Sequence, residues 1–167
     1  MKDLSYPNFS FFSYYHGLSN RLINLVNIVN PCQPTKSVIV NALWDTGAQC
    51  SLISMSVVEK LGLTANGKMK IKTPSGEKEF DTYMVDAIIP AEEEGVRFTG
   101  IQVAESMIGS QNVDFLVGMN IICMGDFAVS NYNGRTAFTF RMPSMNETNY
   151  RAQMIARKSI SDKRKRK

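Results

Sequence analysis

One stretch constrains this chain more than any other: VIVNALWDTGAQCSLIS, from Val38 to Ser54. A β-branched, apolar run climbs to a single acid, Asp45, and the chain then turns through Thr46, Gly47 and Ala48. Such a run, bounded by turn residues, reads as a strand from Ser37 to Trp44, with a second short strand over Ser51 to Ser54. A carboxylate at the end of a buried strand is costly unless it is hydrogen-bonded or put to use. The Thr46 hydroxyl is placed to bond near that carboxylate. Gly47 allows a tight bend and lets another backbone come close, and Ala48 is small enough for the same purpose. The pattern therefore presents a carboxylate outward from a rigid strand end.

A lone carboxylate is simply ionised at neutral pH. Two held close together share one proton. The ionised member can then deprotonate a water while the protonated member polarises a carbonyl, which hydrolyses a peptide bond with no metal and no covalent intermediate. Asp45 needs such a partner. Asp81, Asp86, Asp114 and Asp126 are available, but none sits in a second Asp-Thr/Ser-Gly turn. A symmetric dimer supplies the partner directly, as Asp45 of a second copy.

The remainder of the chain reads as short strands with turn punctuation and little helix, hence mainly β. Asn20 to Asn30 is a strand by its β-branched content, with helix the rival reading. PCQPTK is a turn. SMSVVEKLGL is a short helix that Ser54 or Ser56 can cap and Gly62 can end. KMKIKTPSGEKEFDTYMVDAII is a hairpin. With Pro74-Ser75 at its tip, Lys72, Lys70 and Lys68 face Glu77, Glu79 and Asp81; with Ser75-Gly76 there, Lys72 faces Glu79. Both registers place lysines beside acids. Glu92 to Gly95 is a polar turn, Val96 to Ala104 a strand, Val113 to Val117 a strand, and Met119 to Met124 a short helix. A hairpin is expected around Asn133-Gly134, a strong turn signal.

At 167 residues with 44% hydrophobic and 20% charged content, the chain reads as one soluble globular domain. No apolar run reaches the ~18 residues of a membrane helix, and the aromatic start, broken by Pro7 and Gly17, lacks the pattern of a secretory leader. Cys32, Cys50 and Cys123 are odd in number and widely spaced, and the single histidine, His16, has no partner motif, so no metal site is indicated. Reduced thiols and a cytoplasmic location are the plain reading. The net charge of +4 is uneven. Residues 151–167 hold eight Lys/Arg and one acid, while residues 1–150 hold 11 basic and 14 acidic residues. From Pro143 order is expected to decay, with a helical turn or two in RAQMIARKSISDKRKRK and a disordered end.

ALWDTGAQCSLIS, followed about seventy residues later by DFLVGMNII, resembles the retropepsin-like aspartic proteases, and within them the bacterial and mobile-element members. The resemblance covers roughly Leu22 to Pro143. It implies a closed, barrel-like, mainly β fold with one or two short helices, active as a homodimer and needing no cofactor. Asp45 matches the catalytic aspartate. Thr46 matches the residue whose hydroxyl locks two active-site loops together, and Gly47 and Ala48 complete the loop. Thr73, Pro74, Ser75 and Gly76 match the flap that closes over an extended peptide substrate. Leu116, Val117 and Gly118 match the element behind the loop. Met119-Asn120 stands where relatives often carry an acid, alone or after an Arg. The implied division is an N-terminal extension over 1–20, a protease domain over 21–143 and a basic tail over 144–167.

Other readings stand beside these. Asp45 can be a structural cap, and the whole a non-catalytic dimerisation or peptide-binding module. The tail can be a solubilising end, a nuclear signal, or a segment that touches nucleic-acid phosphates weakly and salt-sensitively. The aromatic cluster Phe9 to Tyr15 can be a strand at a dimer interface or a peptide removed on activation. Trp44 is expected in the core or beside the dimer axis.

Overall fold

The alternating pattern ending at Asp45 does form a strand, β3 (Ser37–Trp44), whose Val40, Ala42 and Trp44 point inward and are buried. In the structure, a computed structural model, residues 9–73, 76–91, 95–106, 108 and 112–165 are described, with the backbone alone for 71–73 and 159–165. Strand β3 lies between β2 (Ile23–Val29), antiparallel, and β8 (Phe115–Val117), parallel. The sheet continues through β4 (Ser51–Ser54), β7 (Val96–Ser106) and β6 (Gly76–Ile89). It then closes, because Asn27, Ile28 and Val29 of β2 pair with Ile88, Ala87 and Asp86 of β6. The result is a six-stranded barrel with no open edge inside the ring. Its interior holds Val26, Ile28, Ile53, Val85, Ala87, Val103, Phe115 and Val117.

Strand β5 (Gly67–Thr73) pairs only with the outer part of β6, so the β5–β6 hairpin projects from the barrel. The register is the first of the two considered: Lys72 faces Glu77, Lys70 faces Glu79 and Lys68 faces Asp81. Thr73 pairs with Gly76, and Pro74 and Ser75 lie outside the described residues. Of the expected turn at Glu92 to Gly95, residues 92–94 also lie outside them. Helix α1 (Met55–Leu61) buries Val57, Val58 and Leu61 and ends at Gly62, whose φ of 60° is the left-handed cap that glycine accepts without strain.

A second sheet packs against the barrel. It contains β1 (Phe9–Tyr14), β10 (Ala137–Met142) and β9 (Asp126–Ser130), in that order and antiparallel throughout. Strand β1 therefore belongs to the fold, with Phe9 and Phe11 in the core. The β9–β10 connection runs over residues 131–136, longer than a two-residue turn, with Asn133 and Gly134 both at positive φ. Helix α2 is shorter than expected, Met119–Ile122, and strand β2 starts three residues late, at Ile23. The basic tail departs most from expectation. It is one continuous helix, α3 (Tyr150–Lys165), instead of a turn or two, and residues 151–158 are all exposed. Asn149 starts it, its Oδ1 accepting the Ala152 N–H. No helix among the described residues is long and apolar enough to cross a membrane.

Candidate active site

Asp45 follows directly on Trp44 and stands half-buried at the end of β3, while Thr46 and Gly47 are exposed. The turn is held from inside and outside. Asp45 Oδ1 accepts the Gly47 N–H at 2.8 Å, and the Ala48 N–H reaches back to the Asp45 carbonyl at 3.2 Å. The internal partner of the carboxylate is thus the Gly47 amide. The Thr46 hydroxyl, expected nearby, has no hydrogen-bond partner among the described residues. A backbone N–H to a carboxylate is a charge-assisted bond that orients the group while leaving Oδ2 available.

The second predicted element lies against the first. Trp44 pairs with Val117, Asp45 donates its N–H to the Val117 carbonyl at 3.0 Å, and Met119 donates to the Ala48 carbonyl at 2.8 Å. Leu116 and Val117 are buried. Gly118 is glycine for a steric reason: a Cβ there would lie 2.5 Å from both the carbonyl carbon and the oxygen of Cys50. The backbone of the β8–α2 junction thus runs in contact with the backbone of the Asp45 loop, which a methyl group forbids.

Two side chains complete this brace: Ser51, which the sequence did not single out, and Asn120, noted there only as a departure from relatives. Ser51 is fully buried, and its Oγ accepts the Gly118 N–H at 3.1 Å while donating to Asn120 Oδ1 at 2.8 Å. Asn120 Oδ1 also accepts the Ser51 N–H at 2.9 Å, and its Nδ2 donates to the Gln102 carbonyl at 3.3 Å. Asn120, the residue noted in the sequence as a departure from relatives, satisfies two donors of Ser51 without a charge. The available signal was a pair of polar residues inside two apolar stretches, which becomes meaningful only once the stretches are neighbours. Cys50 lies between these groups. Burial pushes its thiol up from its ordinary value, against a backbone hydrogen bond that pulls it down, so it stays protonated and poorly reactive.

The other aspartates are engaged elsewhere. Asp86 is buried and bonded to Arg97 (3.1 Å) and to the Gly100 N–H (2.8 Å) beside a bulge in β6. Asp114 accepts from Ser54 Oγ at 2.8 Å; that bond draws Ser54 away from capping α1, whose N-cap position it occupies. Asp126 accepts from Arg141, Ser144 and the Met145 N–H. Asp81 lies on the projecting hairpin opposite Lys68. Among the described residues the hairpin contributes none of the hydrogen bonds that hold the Asp45 loop. Among the described residues no cluster of His, Cys, Asp and Glu has the make-up of a metal site, and His16 is exposed against Tyr14.

The comparisons with known proteins agree with this geometry. A family model described as aspartyl protease matches residues 36–121, which span β3, the Asp45 loop and the β8–α2 element. No curated protein sequence matches the chain. Among solved structures, a retropepsin-like aspartic protease from Rickettsia conorii is similar at 12% identity and a TM-score of 0.51, covering 81% of this chain and 96% of that one. The protease of EIAV, complexed with the inhibitor HBY-793, aligns at 20% identity and a TM-score of 0.41, over 65% of this chain and 90% of that one. The likeness to the Rickettsia protein shows a shared, retropepsin-like fold.

Proposed function

This chain belongs to the aspartyl protease family, and from that premise we propose that it is an endopeptidase whose catalytic dyad is Asp45 from each of two identical subunits. The observation that carries the proposal is the Asp45 turn itself. One carboxylate oxygen is held by an amide in the loop, the loop is braced on Gly118, Ser51 and Asn120, and Asp86, Asp114 and Asp126 are committed to other partners. The second carboxylate of a dyad then comes from a second copy across a two-fold axis. The exposed, unpartnered Thr46 hydroxyl supports this, because it is free to bond the facing loop of the partner subunit.

In the dimer, the two carboxylates share a proton and hold a water between them. The ionised one takes a proton from the water as it attacks the scissile carbonyl, and the protonated one donates toward the carbonyl oxygen. Substrate binds extended beneath the β5–β6 hairpin, which serves as the flap with Thr73, Pro74, Ser75 and Gly76 at its tip, and pairs main chain to main chain. Helix α3, with Arg151, Arg157 and Lys158 exposed, favours an added weak, salt-sensitive contact with nucleic-acid phosphates.

The test is the solution mass of the wild type and of Asp45→Asn, with an unfolded protein as substrate at mildly acidic pH. A dimer that cleaves as wild type and is inert as Asp45→Asn supports the proposal. A monomer without cleavage removes the second aspartate and leaves a non-catalytic binding module.

A further inference from the structure

Trp44 precedes Asp45 and is the only tryptophan in the chain. Its surroundings are unusual in origin. Phe11, Phe140 and Phe127 form one cross-strand row over the small sheet, since Phe11 pairs with Phe140 and Phe140 with Phe127. All three rings pack on the Trp44 indole. Phe11 lies at 5.3 Å between centroids and Phe140 at 5.2 Å, both tilted, and Phe127 stacks at 5.2 Å and 3°. Phe138 adds a fourth contact at 6.2 Å and touches Phe11 edge-on at 5.5 Å. The indole N–H donates to Asn24 Oδ1 at 2.8 Å, and the Trp44 backbone N–H to the Leu22 carbonyl at 2.8 Å. The indole is 4% exposed. Each strand of the small sheet thus contributes a ring to one side chain, and the residue that carries it is bonded directly to Asp45 in the chain.

We infer that strand β1 is a positioning element for the catalytic site, acting through Phe11 on Trp44 to fix the angle at which Asp45 leaves β3. The inference rests on the function proposed above. The ring contacts of Phe11 are with Phe9, Trp44 and Phe138, so it acts through Trp44 and is a positioning residue. Its effect is geometric. Two carboxylates share a proton only while they are close and coplanar, and a displacement of about 1 Å in a reacting group costs about 100-fold in rate. Removing the Phe11 ring lets the indole tilt toward the gap, and Asp45 moves with it. The inference also speaks against one reading of the aromatic N-terminus, a peptide removed on activation: a cut between Tyr14 and Leu18 would release the strand that positions the dyad, so trimming there lowers activity instead of creating it.

The experiment compares the wild type with Phe11→Ala, Phe11→Leu and Ile89→Ala, the last removing a fully buried barrel side chain outside the Trp44 ring cluster. The readouts are kcat and KM per folded molecule on a peptide substrate, the pH profile of kcat/KM, and Trp44 fluorescence. Phe11→Ala is expected to lower kcat about tenfold with KM within about twofold, and Phe11→Leu to lower it about threefold. The pH window of activity should narrow from both sides, because separated carboxylates couple less and their two apparent pKa values converge. Trp44 emission should shift to longer wavelength. Ile89→Ala should lose stability but keep kcat and the pH window. Where alanine does not fold, the leucine variant carries the test. If the Phe11 variants keep both kcat and the pH window, or if Ile89→Ala loses them equally, the inference is overturned while the proposed function stands. An inactive wild type overturns both.

Discussion

The Asp45 loop and the β5–β6 hairpin are both turns next to a strand end, yet they are held by opposite means. The loop is short and gripped by tertiary partners: the Val117 carbonyl, the Met119 N–H, and the Ser51–Asn120 pair through Gly118. The hairpin is long and held by its own ladder, with Lys68, Lys70, Glu77, Lys78 and Glu79 exposed and Met69 and Phe80 half-buried. Beyond Thr82 the same strand β6 enters the barrel and becomes buried. Under the proposed function, the difference suits a carboxylate held still and a hairpin free to close over substrate. Removing a brace from the loop should therefore cost stability and rate together, and removing a charge from the hairpin should cost neither by much.

The largest effect tests the loop at its centre. Asp45→Asn should reduce cleavage by about 10³-fold or more and leave the thermal midpoint close to wild type, as read by calorimetry. Gly118→Ala comes next. Its methyl group must push the Cys50 backbone aside, so we expect a loss of about 3 kcal/mol or more in denaturant unfolding and little remaining activity. Ser51→Ala strands the Gly118 N–H and leaves Asn120 with one donor fewer, which should cost about 1–3 kcal/mol and lower kcat more than it raises KM. Equal losses of stability and unaltered kcat in these two variants would erase the contrast between loop and hairpin.

A carboxylate outside both regions supplies a control with a defined pH signature. Hydrogen bonds from Ser144, then from the Met145 N–H and Arg141, hold Asp126 far below the usual carboxylate range. A depressed folded pKa gives stability that is fully present above the unfolded value of about 4 and fades as pH falls toward the folded one. Asp126→Asn should therefore lower the melting temperature at pH 7, with the gap to wild type shrinking between about pH 4 and pH 2. A gap that stays constant with pH would assign the effect to packing. The smallest effect belongs to the hairpin: Lys68→Ala removes an exposed 3.4 Å pair with Glu79 and should change stability by less than about 1 kcal/mol.

Local chemistry made much of this legible. Strands β3 and β4 have the bounds their patterns imply, and Gly62 ends α1 as its position suggests. The hairpin register was one of the two that the Lys/Glu alternation allows. The tail was misjudged because composition speaks to solvation, whereas a helix depends on the absence of breakers, and residues 150–165 contain neither Gly nor Pro. Strand β1 was ambiguous because an aromatic run has no address until its partner is known, and its partner β10 lies more than a hundred residues away.

By itself the sequence determined that an apolar strand delivers Asp45 into a tight Thr-Gly-Ala turn, that a second short apolar strand runs up to Gly118, and that the body is mainly β. These follow from period, turn chemistry and the cost of a buried charge, all of which act over a few residues. The tertiary structure alone decided that Gly118 lies against Cys50, that the Ser51 hydroxyl pairs with the Asn120 amide, and that Phe11, Phe127 and Phe140 meet on Trp44. Each is a contact between segments far apart in the chain, and only closure of the barrel and docking of the small sheet bring them within reach.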